Sequence, residues 1–329
     1  MSESDRAFEM GNGVTAQAVP VKIEHTYKAR EAEGWFDIQF NRRLGFQIAL
    51  FFRALGWTPT MVTLLGGVFG VTAGHLYYYR SLKLNLIGIA LHILANLLDN
   101  ADGQLARLTN RSSRTGRLID SVVDQIIFIN IYFQLGFRCL ADHPFLPVAL
   151  IGFAAGFSHA IQAASADYYR NAYLYFTSGR TRGEFDSSID LRREYENLKW
   201  GDQFWNKLLL RLYLNLTLQQ ETFAPALKRL RDQVDRIFRD QIPEWFRNGY
   251  QNIARSAFKW WGWLMTNPRL FLLFLILLMG RPMLFFWAGL TVFNSLLAYL
   301  LWRQKKMSES LLGLIEQSCV RYPERRRSL

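Results

Sequence analysis

Five stretches, residues 59–79, 84–108, 118–137, 146–166 and 283–302, are each apolar over about the 20 residues that a helix needs to cross a hydrocarbon core. That property narrows the fold more than any other. Backbone amides and carbonyls find no water in lipid, so such stretches are confined to helices that close their own hydrogen bonds. A shorter run, Leu270 to Met279, precedes Gly280-Arg281-Pro282 and then Met283, a pattern for a tight turn between two further spans. The expectation is an all-α bundle of six transmembrane helices. Its fifth span is the least marked, because Asn267-Pro268-Arg269 interrupts any extension toward Trp260, Trp261 and Trp263. Those tryptophans read as interfacial, with a monotopic helix as the alternative.

The polar parts divide the rest of the chain. Residues 1–33 lack an apolar core of signal-peptide length and read as a polar tail. Residues 34–56, from Trp35-Phe36-Asp37 through Arg42 and Arg43 to Arg53, have the pattern of an amphipathic helix lying in the interface, followed by a turn that places Pro59 at the first position of a helix. Residues 57–180 hold spans one to four. A charged insertion, 181–261, separates them from spans five and six at 262–306, and 307–329 form a C-terminal tail. Two to four amphipathic helices are expected in the insertion. The alternation Leu210, Leu212, Leu214, Leu216, Leu218 also fits a strand, although its helical neighbours favour a buried helix.

Orientation follows from charge. The chain carries 39 Lys and Arg against 27 Asp and Glu, a net charge of +12. With six spans both termini share one side, and the opposite turns hold only Arg80, Lys83, Arg138 and Arg281. The positive-inside rule makes the basic side cytoplasmic, facing anionic lipid. No nucleic-acid motif accompanies the basic residues, so nucleic acid is not an expected partner. Cys139 and Cys319 stand far apart and support neither a disulfide framework nor a cysteine metal site. Asn110-Arg-Ser and Asn215-Leu-Thr match the glycosylation pattern, but both fall on the inferred cytoplasmic side and are read as chance.

Four carboxylates break the apolar pattern. On a helix Asp99, Asp102, Gly103, Ala106 and Arg107 fall at i, i+3, i+4, i+7 and i+8, one stripe. Gly116, Asp120 and Asp124 repeat every four residues on the next helix, and the polar link 108–115 lets the two stripes converge. A single such acid at helix depth costs roughly 2.5 to 3.5 kcal/mol, so four of them need neutralising. One intramembrane Asp is often a structural partner or a proton relay; four at helical spacing, beside small residues and an arginine, point to chemistry. With no histidine or cysteine nearby the set suits hard cations, Mg²⁺ or Mn²⁺, and two such ions would clamp a phosphoryl centre. Gly103 and Ala106 permit close approach of a diphosphate or nucleotide, and Arg107 offers a planar cation to phosphate oxygens. His92 and Asn96 continue the Asp99 face inward, where packing or hydrogen bonding is the expected role.

The order Asp-x2-Asp-Gly-x2-Ala-Arg-x8-Gly-x3-Asp-x3-Asp over residues 99–124 resembles the signature of the CDP-alcohol phosphotransferases at every fixed position. The likeness extends to the six-span layout and the interfacial helix, over roughly 34–180 and less clearly 262–306. It implies that Asp99, Asp102 and Asp120 bind two divalent ions, with Asp124 also in the cluster and acting as general base. It implies that Gly103, Ala106, Arg107 and Gly116 line the CDP pocket. Two departures stand out. Where the family often has Pro-Asn-x-Val/Ile-Thr, this chain reads Pro59-Thr60-Met61-Val62-Thr63, so Thr60 is a candidate cap or nucleotide contact only; and the 181–261 insertion replaces a loop that is short in many members.

The expected reaction is transfer of a substituted phosphoryl group from a CDP-alcohol, CDP-diacylglycerol first among them, to an acceptor hydroxyl with release of CMP. A CDP-amino alcohol acting on a lipid hydroxyl is the alternative within the family. Arg170 lies one span away in Asp167-Tyr168-Tyr169-Arg170 and either holds an acidic acceptor or pairs with Asp167. A homodimer is expected. A divalent-cation transporter or a noncatalytic scaffold would also line helices with acids, but gives no reason for Gly103, Arg107 and Gly116 at these spacings.

Overall fold

The computed structural model describes residues 42–142, 144–178, 185–201, 203–238 and 241–321, all in helices and short connections with no strand among them. The tail expected at 1–33, the first part of the interfacial helix at 34–41 and residues 322–329 lie outside the described residues. Helix α1 (Arg42–Ala54) buries Phe46, Ala49 and Phe52 on one face and leaves Leu44 and Phe51 exposed on another. Gln104 donates to the Arg42 carbonyl at 3.1 Å and so ties α1 to the helix that carries Gln104. The chain then reverses at Gly56, whose φ of +72° is a left-handed conformation that glycine adopts without steric cost.

Helices α2 (Pro59–Leu76), α3 (Leu82–Leu108), α4 (Arg114–Asp142) and α5 (Leu146–Ser178) follow in sequence. Gly66, Gly70 and Gly74 recur every four residues along α2 and let its backbone approach its neighbours, the small-residue packing that apolar surroundings favour. A Cβ on Gly66 would stand 3.4 Å from that of Leu98 on α3, and one on Gly70 would meet Ile127 of α4 at 2.5 Å. Helix α2 is thereby wedged between the two helices that carry the acids. On α3 a Cβ at Gly88 would stand 3.1 Å from the Ala73 carbonyl and 2.7 Å from the Tyr77 ring.

Beyond α5 come α6 (Ser188–Asn197), α7 (Phe204–Phe223), α8 (Pro225–Phe238) and α9 (Glu244–Trp261). The alternating leucines at 210–218 belong to α7, which buries Leu210, Leu214 and Thr217 on one helical face. Helix α9 runs through a 3₁₀ turn at Gly262–Leu264 almost directly into α10 (Thr266–Leu278). Pro268 sits in the first turn of α10, where a missing N–H costs nothing. Glu244–Leu278 is therefore one long rod. Trp261 is buried in it, stacked on Tyr169 at 4.3 Å, while Trp260 and Trp263 are exposed. A turn with Gly280 at φ +68° leads to α11 (Met283–Ala288), a π turn at Gly289–Phe293 and α12 (Asn294–Arg321). Six rods, Pro59–Leu76, Leu82–Leu108, Arg114–Asp142, Leu146–Ser178, Glu244–Leu278 and Met283–Glu316, are long and apolar enough to cross a membrane.

Two polar clusters hold these rods together. Within the apolar layer Arg269 Nη2 donates to Gln162 Oε1 at 2.7 Å, and Gln162 Nε2 donates to the Gly289 carbonyl and to Asn294 Oδ1 at 3.0 and 2.6 Å. That joins α5, α10 and the last rod. In the insertion, buried Glu221 accepts from Ser188 N, Ser188 Oγ, Lys228 Nζ and Arg231 Nη2 at 3.0, 2.7, 2.5 and 2.8 Å. Burial alone would push the Glu221 carboxyl up, but the hydrogen bonds from Lys228, Ser188 and Arg231 prevail and hold it at about 2.

Two outcomes follow. Gly88→Val sets a side chain against a backbone carbonyl that cannot move aside, and should cost roughly 1–3 kcal/mol, read as a lower Tm of the detergent-solubilised protein. Glu221 stabilises the fold fully above its ordinary value of 4.5, and that contribution is lost as the pH falls through about 2. Glu221→Gln should flatten the fall of Tm with acid across this window; an unchanged slope would remove Glu221 from the acid response.

Candidate active site

Helix α3 carries its acids in the turns before its end at Leu108, and the link that follows turns at Asn110, a residue in the left-handed region at φ +51°. Helix α4 starts four residues later, capped by Ser113, whose Oγ accepts from the Gly116 amide at 2.9 Å. The short link makes the helices antiparallel neighbours, and α2 sets their separation. As a result one carboxylate oxygen each from Asp99, Asp102 and Asp120 lies within 4.8 Å of the others. Asp99 and Asp120 are within hydrogen-bonding reach across the interhelical gap. Asp124, one turn further along α4, stands outside that group but close enough for its charge to act on Asp99 and Asp102.

Asp102 is 5% exposed, and its position is fixed from α2. Thr63 Oγ1 donates to Asp102 Oδ2 and also lies 3.1 Å from the Pro59 carbonyl one turn back in its own helix. The expectations above assign no role to Thr63. Its signal was the Pro59 to Thr63 interval, which puts the hydroxyl one turn inside α2 on the face that meets α3. Capping falls to Thr58, which accepts from the Met61 amide at 3.3 Å, while Thr60 is half-buried in the first turn.

The remaining predicted residues surround the acids unequally. The Arg107 guanidinium folds over Gly103, with Nη2 3.6 Å from where a Cβ would be. A Cβ at 103 would stand in van der Waals contact with this cation. Ala106 lies on the same face of α3, and Gly116 in the first turn of α4 is filled only by the Ser113 hydroxyl, 3.0 Å from its absent Cβ. Arg170 is half-buried on α5, a helix that contributes no ligand to the acid group; its neighbour Asp167 accepts from Asn171 at 3.2 Å.

Three carboxylates this close repel one another strongly unless a proton or a cation lies among them. All three candidate ligands are oxygens, and His92, the histidine on the same helix, lies two turns deeper and meets the Tyr77 hydroxyl at 3.2 Å. The donor set fits a hard divalent cation such as Mg²⁺ or Mn²⁺. A bundle of apolar helices with an oxygen-only acid cluster at one end is a class of site that could hold such a cation against phosphoryl oxygens.

Comparison with known proteins sharpens that class. Residues 57–170, a domain that takes in α2 to α4 and most of α5, match the family described as CDP-alcohol phosphatidyltransferase. The chain is 27% identical over 141 residues to the bifunctional IPC transferase and DIPP synthase of Aquifex aeolicus, covering 43% of this chain and 31% of that protein. It is 32% identical over 99 residues to the archaetidylinositol phosphate synthase of Pyrococcus horikoshii, covering 30% and 51%, and 37% identical over 60 residues to a putative cardiolipin synthase of Mycobacterium tuberculosis, covering 18% and 29%. The matched regions thus span between 29% and 51% of these relatives. Six apolar rods together with this domain make the chain an integral, multi-pass membrane protein.

Because Thr63 orients Asp102 rather than reaching an ion itself, Thr63→Val should weaken Mn²⁺ binding to the purified protein by roughly 10- to 100-fold, the effect usual for outer partners of metal ligands. Titration of free Mn²⁺ by electron paramagnetic resonance reads this directly. Wild-type affinity in the variant would show that Asp102 does not depend on the hydroxyl.

Proposed function

We propose that this protein is a phospholipid-synthesis enzyme that transfers a phosphatidyl group from a CDP-alcohol, with CDP-diacylglycerol as donor, to an acceptor hydroxyl and releases CMP. The observation that carries this reading is the group of three carboxylate oxygens within 4.8 Å inside the matched domain. Asp99, Asp102 and Asp120, with Asp124 beside them, would hold two Mg²⁺ or Mn²⁺ ions. When bound, those ions neutralise phosphate charge and polarise the phosphorus under attack.

The chain's own groups do the rest. Arg107 pairs with phosphate oxygens of the diphosphate. Gly103, Ala106 and Gly116 would leave room for the CDP moiety along α3 and the start of α4, and Thr60 would contact the nucleotide. Asp124 accepts the proton of the acceptor hydroxyl. The hydroxyl oxygen then forms its bond to the β-phosphorus, the bond from that phosphorus to the bridging oxygen breaks, and CMP leaves with the electron pair. General-base help of this kind contributes about 10²- to 10⁴-fold.

Arg170 would hold an acidic group on the acceptor. The name of the relative from Pyrococcus, an archaetidylinositol phosphate synthase, fits a phosphorylated acceptor. The active site and both termini face the cytoplasm by the distribution of Lys and Arg, and the protein works as a homodimer.

Asp124→Asn should retain CDP binding by calorimetry yet lose turnover by about 10²-fold or more in a detergent assay of CMP release. Full turnover in that variant would exclude Asp124 as the base. CMP release from CDP-diacylglycerol with Mg²⁺, run against a panel of phosphorylated and neutral acceptors, tests the donor and names the acceptor. Release only from a CDP-amino alcohol, or none with any donor, would overturn the reading.

A further inference from the structure

The part of α4 that bears the acids meets the core on one face, through Val123 against Gly67 of α2. Its fully buried side chains begin only at Ile127, below both Asp120 and Asp124. Above them the helix is exposed or half-buried for three turns. What grips its free end is the insertion. Arg114, the first residue of α4, donates from Nη1 to Glu194 of α6 at 2.5 Å and from Nη2 to Asp186 at 3.3 Å, with its guanidinium 5.5 Å from the Tyr213 ring of α7.

The receiving side is stiff. Asp186 directly precedes Ser187, the cap of α6, and takes a further hydrogen bond from Tyr213. Its backbone carbonyl accepts from Arg231 Nη1 at 3.2 Å, and Arg231, 1% exposed, is locked to Glu221. A continuous chain of charge-assisted bonds therefore runs from the buried hub of the insertion to the first turn of α4. Asp120 lies six residues beyond Arg114, about 9 Å along the helix.

We propose that Arg114 is a positioning residue through which the insertion sets the distance of Asp120 from Asp99 and Asp102. The inference rests on the carboxylate site described above and not on the identity of its substrate. Displacing the start of α4 moves Asp120 relative to α3, since the helix is anchored below it at Val123 and Ile127.

The test is Mn²⁺ titration by electron paramagnetic resonance on the full-length protein in detergent, for the wild type, Arg114→Gln, Arg114→Lys and Glu194→Gln, with Tm measured alongside. Breaking the grip should raise the Mn²⁺ dissociation constant by about two- to fivefold, the range that a partly exposed ion pair transmits. Lys at 114 should recover part of the loss, and Glu194→Gln, which changes the insertion alone, should shift binding in the same direction. If Arg114→Gln proves too unstable to measure, Glu194→Gln decides the matter. Wild-type Mn²⁺ affinity in the variants, with or without a lower Tm, would overturn the proposal and leave Arg114 a purely structural tie. Failure of every variant and the wild type to release CMP would count against the proposed reaction while leaving this result intact.

Discussion

Electrostatic repulsion among Asp99, Asp102 and Asp120 is the constraint on which the rest of the molecule turns. Carboxylate oxygens within 4.8 Å of one another at the end of an apolar bundle are tolerable only with positive charge or protons among them. The small-residue face of α2 brings α3 and α4 close enough for this contact, and Thr63 aims one of the acids. Packing and chemistry are thus the same arrangement seen from two sides: glycines that bring three helices together also bring the ligands together.

Much of this was legible in the chain. The apolar stretches gave the rods, because helix is the one structure that satisfies a backbone in lipid without closing a barrel. The spacing of Asp99, Asp102, Asp120 and Asp124 gave the two converging stripes, because helical periodicity fixes which side chains share a face. Less was legible wherever a residue acts through a distant partner. Thr63 reaches an acid 39 residues away, and Arg114 reads as one more polar residue of a link until α6 is folded against it. Asn267-Pro268-Arg269 looked like a break in the fifth span; folding instead places Pro268 in a first turn and covers Arg269 with Gln162 from α5.

The insertion gains a role from this view. Its helices are tied by buried ions rather than by apolar packing alone, and Glu221 and Arg231 leave little freedom for movement at the point where α4 is held. The matched region ends at residue 170, and α6 to α9 follow it. Support from outside the bundle suits an acid-bearing helix whose first two turns lie above its packing at Val123.

Diffraction from crystals grown with Mn²⁺, recorded at the manganese absorption edge, tests the shared ion most directly. An anomalous peak should appear between α3 and α4 with Asp99, Asp102 and Asp120 oxygens within about 2.0 to 2.3 Å of it, as hard-cation ligation requires. A manganese peak elsewhere, or a clear map of this region with the three carboxylates apart and no peak, would contradict it.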